Sequence, residues 1–279
     1  MKPSLIAGLA ATAAAIAAAT VRRGDEADAE RAWRALARPR PPTGSTFTPE
    51  TVEGLPEPAR RYFRFAIAPG TPLRSIAEID MVGRIGLGDR EAPNYRPMIA
   101  REILAPPYGF VWRPRIGTGV TAVTGSDGCI GDRAWTRFWL AGLVPVARTT
   151  STADLVRSAR ARSVAEALWA PAALLPANGV AWEPLEADGA RAIFEYAGEA
   201  YVLDLTVAPD GRPVSVSMQR WTNANPDRVF RLQPFGATVL ETGTFEGYTI
   251  PTRIEGGNGF GTDAYFPFFQ ASVTSASFR

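Results

Sequence analysis

The side chains able to do chemistry in this chain are carboxylates, arginines, hydroxyls and indoles, because it has no histidine and a single cysteine, Cys129. Without His there is no Ser-His-Asp or Cys-His nucleophile, no imidazole base and no imidazole metal ligand. One Cys permits neither an internal disulfide nor a multi-Cys zinc or iron–sulfur site. Cys129 sits in "GSDGCIGD" with no adjacent cation to lower its pKa, so a plain buried or half-buried thiol is expected. Neither a metal nor a cofactor is expected.

Among the carboxylates, Glu166 and Glu183 flank "EALWAPAALLPANGVAWEPLE" (166–186), and Glu102 and Asp132 fall on nearby predicted strands. Two carboxylates about 5 Å or about 6.5–9.5 Å apart can cleave a glycosidic bond, with retention or inversion respectively. Glu166 buried against Trp169 would acquire the raised pKa of a general acid. The competing use of Glu166 is an ion pair with Arg60, Arg61 or Arg113, which so Arg-rich a chain makes easy. A glycosidase-like hydrolase using Glu166, Glu183 or Glu102 is therefore the alternative function rather than the leading one.

The aromatics carry the leading expectation. Trp112, Trp135, Trp139, Trp169 and Trp182 fall in the central half of the chain, and the tail "YFPFFQ" adds Phe266, Phe268 and Phe269. In a curved antiparallel sheet such residues either fill the core or line a cavity for an apolar ligand. The second use predicts an apolar or lipid-like ligand held by Trp112, Trp135, Trp139, Trp169, Trp182 and Phe268. A third reading is an envelope protein-interaction domain docking through "LAGLVPVA" (140–147), where Leu140, Leu143, Val144 and Val146 make an apolar loop or, equally, a buried hairpin strand. The glycine motifs "GRIGLG" (83–88) and "GGNGFG" (256–261) lie between strands rather than before a helix, so they predict no nucleotide site. A net charge of +2 with no basic run interleaved with aromatics predicts no nucleic-acid partner.

The elements that must position these residues begin with Lys2 and an uncharged run from Pro3 to Val21. At 1.5 Å per residue that run is long enough to span a bilayer, although Ala is only weakly favourable in lipid. Ala17-Ala18-Ala19 also fits a signal-peptidase pattern. Residues 1–23 are thus expected to be a membrane anchor or a signal segment, which places the protein outside the cytoplasm, anchored or released after cleavage. Residues 24–54 read as a charged helix, with Trp33 and Leu36 on one face, then a stiff tether at Pro39, Pro41 and Pro42. Residues 55–279 read as one domain. A short helix starts near Pro56, followed by short strand-like runs with turn signals every eight to twelve residues. One helical insertion, "STADLVRSARARSVAEALW", interrupts them and is capped by Ser151 or Thr152. Pro171 ends it near Trp169, and Pro176, Asn178 and Gly179 supply the turn into the next strand. Strands without crossover helices give an α+β fold: about ten antiparallel strands curved into a half-barrel or open barrel, with the helix packed into its mouth or concave face.

The pairing of "LPEPARRY" (55–62) with "WAPAALLPANGVAW" (169–182) resembles a family of bacterial proteins that carry a domain of unknown function. Its members join L-P-x-P-x-x-R-Y near the start to a central W-x-P-x-A-L-L-P-x-x-G-V-x-W. The likeness runs over most of residues 55–270. It departs from the family pattern at Arg162–Ala167 and in "NYRPMIARE". The resemblance implies one domain, frequent export or membrane association, and no agreed catalytic residues to carry over.

Overall fold

The computed structural model describes residues 3–39 and 44–279, with side chains from residue 12 onward except Ala14. Pro41 and Pro42 of the expected tether lie outside the described residues.

Two antiparallel meanders build one thirteen-stranded sheet. The first comprises β1 (Ala77–Gly86), β2 (Tyr95–Ala105), β3 (Gly109–Ile116), β4 (Val123–Ile130), β5 (Arg133–Leu140) and β6 (Val144–Arg148). The second comprises β7 (Val180–Pro184), β8 (Gly189–Tyr196), β9 (Glu199–Val207), β10 (Pro213–Thr222), β11 (Arg231–Phe245), β12 (Tyr248–Asn258) and β13 (Phe266–Phe278). The seam between them is β1 against β13, with Ala77 opposite Phe278 and Ile85 opposite Phe269. The strand order therefore runs from β6 through β1 and β13 to β7, and both free edges come from the middle of the chain.

The sheet holds more strands than the ten or so expected. The stretch "CIGDRAWTRFWLAGLVPVA" contains the end of β4, all of β5 and most of β6. Its turns are at Gly131 (φ +55°) and at Ala141-Gly142 (φ +51° and +70°). Gly128 looks like a turn residue but lies inside β4. A Cβ there would come within 2.5 Å of the Trp135 ring, so only glycine leaves room for that indole.

α2 (Glu57–Ala66) begins at Pro56, as expected, and buries Tyr62 and Phe63 against β7, β8, β9 and β12. Packing into the main core starts before it, at Phe47 and Val52. α3 (Ala153–Ala165) forms the expected insertion. The Thr152 side chain accepts the Leu155 N–H at 3.1 Å, satisfying one of the free donors of the first turn. The helix stops earlier than Trp169. Residues Ala167–Trp169, Pro171–Leu174 and Pro176–Asn178 form three 3-10 turns, and Gly179 (φ +82°) starts the return to the sheet. α3 touches β3, β4 and β5 on one side and β9 and β10 on the other, so the sheet curls around it as an open half-barrel.

Along β3 the two faces separate cleanly. Phe110 and Trp112 point into the main core beneath α3, and Val111 points to the opposite face. That opposite face is covered by α1 (Pro3–Leu36), whose Ala29, Ala32 and Leu36 pack on Ile103, Val111 and Trp135. The charged stretch from residue 24 is helical, as expected, and it is docked on the sheet. Asp25 accepts from Trp139 Nε1 at 3.2 Å and is ion-paired with Arg137 and Arg148. Trp33 lies under Arg101 and Arg113, at 5.5 and 5.8 Å from ring centroid to guanidinium. The described side chains between residues 12 and 24 are mostly exposed, Ile16 by 62%. Among the described residues no helix is long and apolar enough to cross a membrane.

Candidate functional site

Beneath α3, the concave face leaves a recess of about 240 Å³. A single water needs roughly 10–15 Å³ of such space, so the recess is many times larger than a hydration gap. Its wall is apolar: Ile85 from β1, Trp112 from β3, Val216 from β10, Val239 from β11 and Ile254 from β12, with Leu168 and Trp169 from the turn after α3. Phe235, Ala237, Phe268 and Phe269 close the β11–β13 side and are half-buried, so the recess reaches solvent there. Strand alternation explains the lining. On β10, Val216, Met218 and Arg220 share one face, with Val216 and Arg220 reaching the recess.

The floor is charged. Arg162, on the last turn of α3, is an electrostatic hub that sequence reasoning did not single out. Its Nε donates to Glu166 Oε1 at 2.8 Å, Nη1 to Asp127 Oδ2 at 2.7 Å and Nη2 to Glu102 Oε1 at 3.3 Å. The guanidinium also lies 4.3 Å from the Phe110 ring and 5.2 Å from Trp112. Burial alone would lower its pKa. Glu166, Glu102 and Asp127 reverse that and push it up, so Arg162 stays charged. Glu102 is fully buried on β2, directly across from Trp112. Burial first, then the neighbouring charge of Glu166, holds its carboxyl well above the usual 4.5. One oxygen of Glu102 and one of Glu166 have no hydrogen-bond partner among the described residues.

Arg220 faces the same recess in a different state. It lies 4.9 Å from the Phe235 ring and makes a long hydrogen bond, 3.4 Å, to the Ser158 carbonyl. Burial, reinforced by repulsion from Arg162, lowers its pKa to about 10.

The expected ligand-binding set divides. Trp112, Trp169 and Phe268 line the recess. Trp135 and Trp139 point to the opposite face, where they bond to Ser126 and Asp25 under α1. Trp182 packs edge-on against Phe63, 5.6 Å between centroids, and donates to the Leu174 carbonyl. These three are structural anchors outside the recess. Period-two alternation accounts for the split: Trp135 and Trp139 are four residues apart on β5 and therefore share a face.

The expected carboxylates divide as well. Glu166 lines the recess and meets Glu102 across Arg162, whereas Glu183 is exposed on the edge strand β7, and Asp132 is exposed in a turn where it pairs with Arg160 at 2.7 Å. Glu166 pairs with Arg162 rather than with Arg60, Arg61 or Arg113, and Arg113 is taken by Glu30. Leu143, Val144 and Val146 of the expected apolar loop are exposed, at the turn into β6 and along it, rather than in a buried hairpin. Burial pushes the Cys129 thiol up to about 12, which leaves it protonated at neutral pH. A second, wider recess of about 680 Å³ lies between α3 and β9–β11, and its charged walls are internally paired, Arg191 with Asp204 at 2.7 Å and Arg157 with Glu199 at 3.1 Å.

Three solved structures are similar over most of their length. A LolA superfamily protein from Nitrosomonas europaea is 10% identical, with 80% of this chain and 92% of that chain aligned at a TM-score of 0.41. A candidate outer membrane lipoprotein-sorting protein domain from Vibrio parahaemolyticus is 11% identical over 74% of this chain and 86% of that one, at a TM-score of 0.36. A DUF1329 family protein from Desulfovibrio piger is 10% identical with the same coverage, at 0.32. No curated protein matches the chain. Residues 45–271, which hold the entire sheet except the second half of β13, match one family throughout, and the chain accordingly belongs to DUF6544, a family of unknown function.

Proposed function

We propose that the domain binds an apolar, lipid-like ligand in the recess beneath α3. The observation that carries this reading is a lining of buried Trp, Leu and Val and half-buried Ile side chains that leaves a recess open to solvent between half-buried phenylalanines. A core position left empty forfeits packing contacts, so an unfilled apolar recess with access to solvent gains from a guest. The uncharged run before Arg22 supports a place outside the cytoplasm and beside a membrane, as anchor or signal.

The test uses the full chain. Adding a fatty acid or a phospholipid should change the fluorescence of Trp112 and Trp169 saturably in the micromolar range. Ala237→Phe, which puts a ring into the recess from the β11 wall, should weaken that binding about tenfold or more. If neither lipid nor an apolar dye binds at micromolar concentration, the reading fails.

A further inference from the structure

The recess also discriminates among apolar ligands by their heads. The four charged side chains lining it are Asp127, Arg162, Glu166 and Arg220. The first three are tied to one another through the Arg162 guanidinium, and Asp127 also accepts from Thr136 at 2.8 Å. Arg220 alone has no carboxylate within ion-pair distance among the described residues. Its hydrogen bond to Ser158 is long, and its other neighbour is an aromatic ring. A second donor in the same wall lacks an acceptor. Trp112 is 5% exposed, and its indole N–H has no hydrogen-bond partner among the described residues. A half-buried cation with one long hydrogen bond and no carboxylate partner, and a buried N–H without an acceptor, both gain from an oxyanion. A guanidinium presents its N–H groups in a fork that matches a carboxylate or phosphate. The lowered pKa of Arg220 agrees with this placement: burial first, then repulsion from Arg162, outweigh the pull of Glu166 and Asp127.

From this we infer that the recess takes a single-chain anionic amphiphile, its oxyanion head paired with Arg220 and its hydrocarbon chain against Trp112, Trp169 and Phe268. One chain is specified because about 240 Å³ falls below the usual 300–1,000 Å³ of drug-sized sites. The inference rests on the apolar-ligand reading above, and its test separates the two.

The full chain is titrated with dodecanoate, dodecyl phosphate and 1-dodecanol, which share a chain and differ in the head, and binding is read by Trp fluorescence. Both anions should bind about tenfold or more tightly than the alcohol, the scale of one charge-assisted hydrogen bond. The ratio between the two anions tells whether a carboxylate or a phosphate head is preferred. In Arg220→Gln the ratio of anion to alcohol affinity should fall toward one, and Arg220→Lys should retain most of it. Equal binding of anions and alcohol by the unaltered chain overturns the head assignment and leaves the apolar reading standing. An anion preference that survives Arg220→Gln overturns it as well. If none of the three binds, both readings fall.

Discussion

Glu102 shows how much a single buried carboxyl can weigh. Only one of its oxygens meets Arg162, at 3.3 Å, and that guanidinium is shared with two other carboxylates. The folded state therefore keeps Glu102 protonated to a higher pH than the unfolded chain does, because burial and the charge of Glu166 both oppose its ionisation. The folded pKa is raised, so the stabilisation is fully present below the usual 4.5 and is lost as pH climbs through the raised value. Urea denaturation of the full chain from pH 4.5 upward should show this decline, and Glu102→Gln, a neutral near-isostere, should flatten it. Which arginines matter was not legible at this scale. Arg162 and Arg220 carry the polar part of the recess, yet they are two among many in a chain whose positive charge is almost entirely arginine. A signal did exist: Arg220 falls in step with Val216 and Met218 on β10, a charge on an apolar face. The tryptophans drew attention instead, and three of the five expected to bind are anchors, since type alone does not say which face of a strand a side chain takes.

At the scale of elements, the sequence reading was most secure where local rules are strong. α2 and α3 were legible from Pro56, the Thr152 cap and the 3.6-residue pattern, and the corner after α3 from Pro171 and Gly179. The β4–β5 boundary is hard to read from sequence because a glycine required for side-chain clearance, Gly128, looks the same there as a glycine required for a turn, Gly131. The docking of α1 was also hidden, since its buried stripe among the described residues is an aspartate, two alanines and a leucine, Asp25, Ala29, Ala32 and Leu36. Ala29 is 1% exposed in that seam, against a cluster containing Ile103, Val111 and Trp135. Ala29→Glu would bury an unpaired charge there, a cost of several kcal/mol that undocking avoids. Hydrogen exchange should then show residues 25–36 losing protection about tenfold or more, while the amides of β9–β12 keep theirs.

For the whole molecule, the curved antiparallel sheet wrapped around one helix was the expected architecture, and the strand spacing without crossover helices was enough to give it. The seam was not legible. No local pattern announces that Ile79 pairs with Ala276. That seam makes the two meanders interdependent, because β13 supplies one neighbour to β1 and the other to β12. A chain ending at Asp263 lacks β13 and with it both pairings. Such a truncation should show no cooperative thermal transition by circular dichroism, whereas the full chain melts in a single step.

The position of that seam also sets a schedule for making the protein. The strand that completes β1 is synthesised 197 residues after Ile79 if its partner Ala276 marks the moment of pairing (276 − 79). At about 5–20 residues per second, the inner edge of β1 waits roughly 10–40 s with its backbone donors and acceptors unmatched. An open edge flanked by apolar residues is where one nascent chain joins another. Yield in a cell therefore depends on what occupies the β1 edge during that interval as well as on the stability of the finished sheet.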